Sequence, residues 1–85
     1  MKFQGAVIRE QGVKFAIVIV KRHVVQNATK ASETIRCFTP SFGGIPVILM
    51  AQDSRGTPTY YGRKDIARFM SNVSLRAIPW RNYTI

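Results

Sequence analysis

The run Phe15-Ala16-Ile17-Val18-Ile19-Val20 constrains the fold more than any other feature of the chain. Its last four residues are β-branched, and none of the six offers a polar group to water. Such a run reads as a strand buried on both faces, central in its sheet. A second apolar run, Val47–Ala51, has the same character within a strand expected over Ile45–Gln52. Both runs are far shorter than the ~20 apolar residues that a membrane span needs. Between them lies a helical pattern. Asn27 is placed to cap it, and Ala28, Ala31, Ile35 and Phe38 recur at i, i+3, i+7 and i+10. Lys30, Glu33 and Arg36 fall on another face at spacings of three. Pro40 forbids continuation, and residues 41–44 form a loop. A strand–helix–strand unit of this kind makes a parallel pair with a right-handed crossover.

The flanking segments complete the sheet. Lys2–Arg9 alternates weakly and predicts a strand, followed by a hairpin turn at Glu10-Gln11-Gly12. The central strand is expected to run on toward Val25, with Lys21, Arg22 and His23 at its emerging end. Asp53-Ser54-Arg55-Gly56 is a turn signal. Thr57–Tyr61 then predicts a short antiparallel strand. Pro58 cannot donate to a ladder, so this strand is an edge or starts after the proline. In Arg63–Val73, Ile66, Ala67, Met70 and Val73 lie on one helical face. Leu75–Ile85 ends the chain as a strand or extended tail. The expected order is β-β-α-β-β-α-β. It forms one domain over residues 1–85: a small α/β (or α+β) fold, with a mixed sheet and two helices packed as a two- or three-layer sandwich.

Composition narrows the function. Thirteen Lys and Arg stand against four Asp and Glu, a net charge of +9 in 85 residues. A domain so small and basic favours polyanions: nucleic acid, an anionic membrane surface or an acidic protein. Its apolar content of 46% is too high for a disordered basic tail. One Cys and one His cannot build a four-ligand zinc site in one chain. The acids Glu10, Glu33, Asp53 and Asp65 each have a base within three residues, so each reads first as a local charge partner. No G-x-G-x-x-G or Walker A pattern is present, and the reading calls for no cofactor. Met1-Lys2-Phe3-Gln4 is not followed by an apolar signal region. With a single cysteine excluding an internal disulfide, this predicts a soluble cytoplasmic protein.

Residues Ile45-Pro46, Val47–Ala51, Asp53–Gly56, Thr59–Tyr61, Gly62 and Ile66–Val73 together resemble the C-terminal half of the thioredoxin-like fold. The resemblance covers about a third of the chain. It implies a thioredoxin-like core, with Pro46 in the cis form usual for that family. It does not carry the activity. The family's Cys-x-x-Cys belongs at the start of the first helix, where this chain has Asn27-Ala28-Thr29-Lys30. Thiol–disulfide exchange needs a second thiol that is absent here.

Three clusters are candidates for a site. Gly62-Arg63-Lys64 leads, because it places two cations at a helix start that is already positive. Tyr60 and Tyr61 lie beside it to stack on a base, and Gly62 would allow close approach of a ligand. The plain alternative is a solvated helix start compensated by Asp65. Lys21-Arg22-His23 is second, at the carboxyl end of the central strand where ligands of such units collect. Arg76, Trp80, Arg81 and Tyr83 form the third, which suits single-stranded nucleic acid, a protein interface or core packing. Cys37 reads as a buried small hydrophobe.

Three functions follow as expectations. The first is a binding domain that docks on nucleic acid through phosphates, using Arg63, Lys64, Lys21 and Arg22, with Tyr61 and Trp80 stacking. The second is an interaction or homodimer module, pairing through Thr59–Tyr61 or the Arg76–Ile85 tail. The third is a small-ligand binder or enzyme using His23 or Cys37.

Overall fold

The computed structural model of the chain describes residues 2–10 and 12–84. Five strands form one sheet: β1 (Lys2–Glu10), β2 (Val13–Ile19), β3 (Val47–Gln52), β4 (Pro58–Tyr61) and β5 (Arg81–Thr84). Their spatial order is β4-β3-β2-β1-β5. β2 and β3 run parallel, registered from Ala16 opposite Val47 to Ile19 opposite Met50. Every other neighbouring pair is antiparallel. The sheet is therefore mixed, and the Phe15–Val20 run supplies its middle strand.

Three α-helices accompany the sheet: α1 (Arg22–Val25), α2 (Ala28–Phe38) and α3 (Lys64–Met70). The strand period of two divides the core into two layers. Phe15, Ile17, Ile48 and Met50 pack with Ile66 and Met70 of α3 and with Ile78. Ala16, Val18, Val47 and Leu49 pack with Ala31 and Phe38 of α2. Because α2 and α3 cover opposite faces, the architecture is a three-layer α/β/α sandwich.

The sequence rules for α2 hold closely. Oδ1 of Asn27 accepts the Lys30 amide at 3.0 Å, capping the first turn. Pro40 then opens a 3₁₀ turn over Thr39–Phe42. β4 begins at Pro58 and is an edge strand, where a residue without an N–H is tolerated.

Several expectations are corrected. β2 stops at Ile19, and Arg22–Val25 is a short helix rather than a strand extension. The chain turns there so that Val24 and Val25 can pack on the α2 layer. Helix α3 starts at Lys64, with Arg63 at its N-cap, and ends at Met70, short of Val73. Cys37 is exposed. It lies on the solvent side of α2, turned away from the stripe that buries Ala31 and Phe38. The tail makes a 3₁₀ turn at Leu75–Ala77 and then β5. Gln11 of the predicted hairpin and Ile85 of the predicted tail lie outside the described residues. A thioredoxin-like core is not confirmed: the described residues contain no cis peptide bond, so Pro46 is trans. No described helix is long and apolar enough to cross a membrane.

Candidate functional site

The β3–β4–α3 segment, with α2 beside it, builds a concave feature of the surface. β4 leaves the sheet at Tyr61, Gly62 turns the chain, and α3 starts immediately. Gly62 has φ +150°, and a Cβ there would stand 2.6 Å from Cδ1 of Ile48 and 3.2 Å from the Val47 carbonyl. The space expected to admit a ligand at Gly62 is thus filled by β3. The glycine lets the β4–α3 turn press onto the sheet, and this close packing sets where Arg63 and Lys64 emerge.

These residues line a groove of about 800 Å³ at the β4 edge. Arg63, Lys64 and Arg68 line it together with Tyr60 and Tyr61, and no carboxylate is among its lining residues. Arg68 is the residue that the sequence reading missed. It lies four positions after Lys64, on the same side of α3, and that spacing was the available signal. The two tyrosines are consecutive on a strand, so their rings take opposite faces. Tyr60 packs against the α3 layer and Tyr61 against the α2 layer. The Tyr60 hydroxyl is buried and has no hydrogen-bond partner among the described residues. Partial burial pushes its pKa up, so it remains a neutral phenol.

Arg63 is held rather than loose. Its Nε donates to Oδ1 of Asp65 at 2.9 Å and its second guanidinium nitrogen to Oδ2 at 2.8 Å. This two-pronged bond raises the Arg63 pKa and holds the Asp65 carboxyl below the usual range. Both side chains are more than half exposed, so water screens the pair. It is the one ion pair among the described residues. Asp53 instead accepts the Arg55 and Thr57 amides and shapes its own turn.

The structure separates the candidates that the sequence grouped together. Gly62 sits against Val47, at the amino end of β3, whereas Val20 bonds Met50 near the carboxyl end. Lys21, Arg22 and His23 follow Val20, about 10–15 Å along the strands from Arg63. All three are exposed. Trp80 lies beside β5, at the opposite edge of the sheet from Tyr61. Its indole N–H donates to the Leu75 carbonyl at 3.2 Å, and its ring packs on the α3 layer. Tyr83 stacks on Phe3 at 5.2 Å on the other face, so Trp80 and Tyr83 do not form one patch. Arg76 and Arg81 are exposed. No group of three potential metal ligands occurs among the described residues.

Fold and groove together define a small α/β/α domain with a cationic groove at one sheet edge. No protein-family model, curated protein or solved structure matches the chain.

Proposed function

We propose that this domain docks on nucleic acid through phosphate contacts, with little sequence selectivity, and that the β4-edge groove seats the backbone. One observation carries the reading. Three cations line a groove that holds two tyrosines and has no carboxylate among its lining residues, with Asp65 reaching Arg63 from outside it. Arginine and lysine neutralise phosphates, and aromatic rings at such a groove stack on bases of any sequence. Arg63, Lys64 and Arg68 are the phosphate contacts, and Tyr61 is the stacking residue. Lys21 and Arg22, at the far end of the sheet, add a weaker attraction that salt screens. A cytoplasmic location is part of the proposal, since nucleic acid is within reach there.

The test is fluorescence anisotropy with labelled single-stranded DNA, duplex DNA and RNA from about 50 to 200 mM salt. Micromolar binding whose logarithm falls linearly with log salt is expected. Reversing Arg63 and Lys64 to Glu should lower the slope by about 1.4–1.8, the share of two phosphates. Absence of binding at the lowest salt would reject the proposal.

A further inference from the structure

The opposite edge of the sheet carries a different kind of site. Ala16 donates its amide to the carbonyl of Pro46, just before β3, and Val20 donates to that of Met50 on β3. Even-numbered residues of β2 therefore turn their backbone groups toward β3, and odd-numbered ones toward β1. Opposite residues of an antiparallel pair share this orientation. Phe15 and Ile17 thus exchange hydrogen bonds with Ile8 and Ala6, their partners in register. The odd-numbered residues of β1 face outward. β5 covers Phe3 and Gly5 and pairs no further than Gly5. The outward N–H and C=O of Val7 and Arg9 have no partner among the described residues.

The two faces of this open stretch differ sharply. On the α2 side, Arg9 stands directly opposite Lys14. Theirs is a non-hydrogen-bonded pair, the closer of the two antiparallel spacings, with Cα atoms about 4.5 Å apart. Like charges at that spacing repel. Both are exposed, and neither has an ion-pair partner among the described residues. On the α3 side the same stretch borders a notch of about 350 Å³. Ile8, Phe69, Val73 and Pro79 give it an apolar lining, which Arg9 and Glu10 also border.

We infer that the Val7–Arg9 edge of β1 binds an extended, acidic segment of a partner protein as an added strand. Edge amides and carbonyls supply the register, and the faces supply the selection. A strand laid here sends alternate side chains to the two faces. A carboxylate opposite Arg9 stands on the side of Arg9 away from Lys14, where it pairs with Arg9 and offsets the repulsion of the two cations. The adjacent apolar residue opposite Ile8 enters the notch. The preferred partner therefore alternates apolar and acidic residues, and avoids an acid opposite Glu10. A second copy of this chain is a poor occupant. Antiparallel pairing about Ile8 would set each Arg9 opposite Val7 of the other copy, with the two arginines only two residues apart across the seam and no carboxylate opposite either. The surface is separate from the groove at the β4 edge.

The experiment titrates the full chain with fluorescein-labelled 11-residue peptides. One alternates valine and glutamate, one alternates valine and lysine, and one has the valines and glutamates in separate blocks. The alternating acidic peptide should bind at least tenfold more tightly than either control. An Arg9→Glu/Lys14→Glu variant should reverse the preference between the acidic and the basic peptide. Hydrogen exchange by NMR on the unaltered protein should slow at the Val7 and Arg9 amides when the acidic peptide is present. That measurement is decisive even where the variant does not fold. Equal binding of the block peptide would overturn the inference, since charge alone would then suffice. Unprotected Val7 and Arg9 amides in the complex would overturn it as well.

Discussion

The two edges of the sheet share an excess of positive charge and differ in what their backbones offer. At the β4 edge, the Asp53 amide bonds the Thr57 carbonyl. Odd-numbered residues there face inward, leaving Pro58 and Tyr60 to face out. Proline has no N–H, so β4 presents one outward donor, and Pro58 blunts the edge against strand addition. Arg63, Lys64 and Arg68 then act as side chains above a closed backbone. The β1 edge has the reverse character. Two residues offer free donors and acceptors, and the flanking cations are a mismatched pair. Under the two proposals, charge would draw a polyanion to either edge, and backbone availability would decide whether it binds by side chains or as a strand. Each edge also depends on a glycine that admits a close approach, and this makes the comparison testable.

The largest effect is expected at Gly5. A Cβ there would stand 2.6 Å from the Ile17 carbonyl oxygen. That oxygen belongs to the central strand and cannot swing aside. Gly5→Ala should cost about 3 kcal/mol, read as a lowered urea midpoint. Gly62→Ala meets a side-chain tip, Cδ1 of Ile48, at the same distance. The tip can rotate, but the strain of φ +150° remains. About 1–2 kcal/mol is expected. A Gly62 cost equal to or above that of Gly5 would show the β4 edge to be the stiffer one.

These two glycines mark the limit of what the chain discloses by reading. The central place of β2 and its parallel pairing with β3, the cap at Asn27 and the edge position of β4 were legible because each follows from rules of period, crossover, capping and proline. Both glycine contacts involve partners twelve or more residues away, so no local pattern announces them. The same holds for the site. Arg63, Lys64 and Tyr61 were legible as a cluster because they are neighbours in sequence. Arg68 joins them through helical spacing and the groove's shape. Lys21 and Arg22 were grouped with them by charge alone, and the parallel β2–β3 pairing puts them at the other end of the sheet. Cys37 misled because a small apolar residue near a buried Phe reads as core, while the helical period turns it outward. The Arg9–Lys14 pair was invisible until the hairpin register was known.

A smaller effect separates the cationic clusters. Arg63→Glu/Lys64→Glu should weaken oligonucleotide binding at least tenfold at about 0.1 M salt. Lys21→Glu/Arg22→Glu should weaken it less than threefold. At that salt a charge acts over roughly 10 Å, so the far cluster is largely screened from the groove. Equal losses from the two variants would mean that the ligand spans the whole sheet.

The smallest effect concerns the bond between Arg63 and Asp65. A phosphate arriving at Arg63 competes with a carboxylate that already holds both prongs of the guanidinium. Asp65→Asn removes that charge, and affinity should rise two- to threefold, since an exposed pair is worth little against water. The pH dependence has a fixed sign. The Asp65 carboxyl titrates below the ordinary aspartate range, with the hydrogen bond from Arg63 as the largest cause. The contribution of this pair to stability is full above the unfolded aspartate range and is lost only as pH falls through the depressed value. Between pH 8 and 5 the hold on Arg63 is constant, so the gain from Asp65→Asn should be constant too. A gain that shrinks on acidification within that window would place a second, protonatable group in the groove. An Asp65→Asn variant that binds no better than the parent would move the phosphate contact from Arg63 to Lys64 and Arg68.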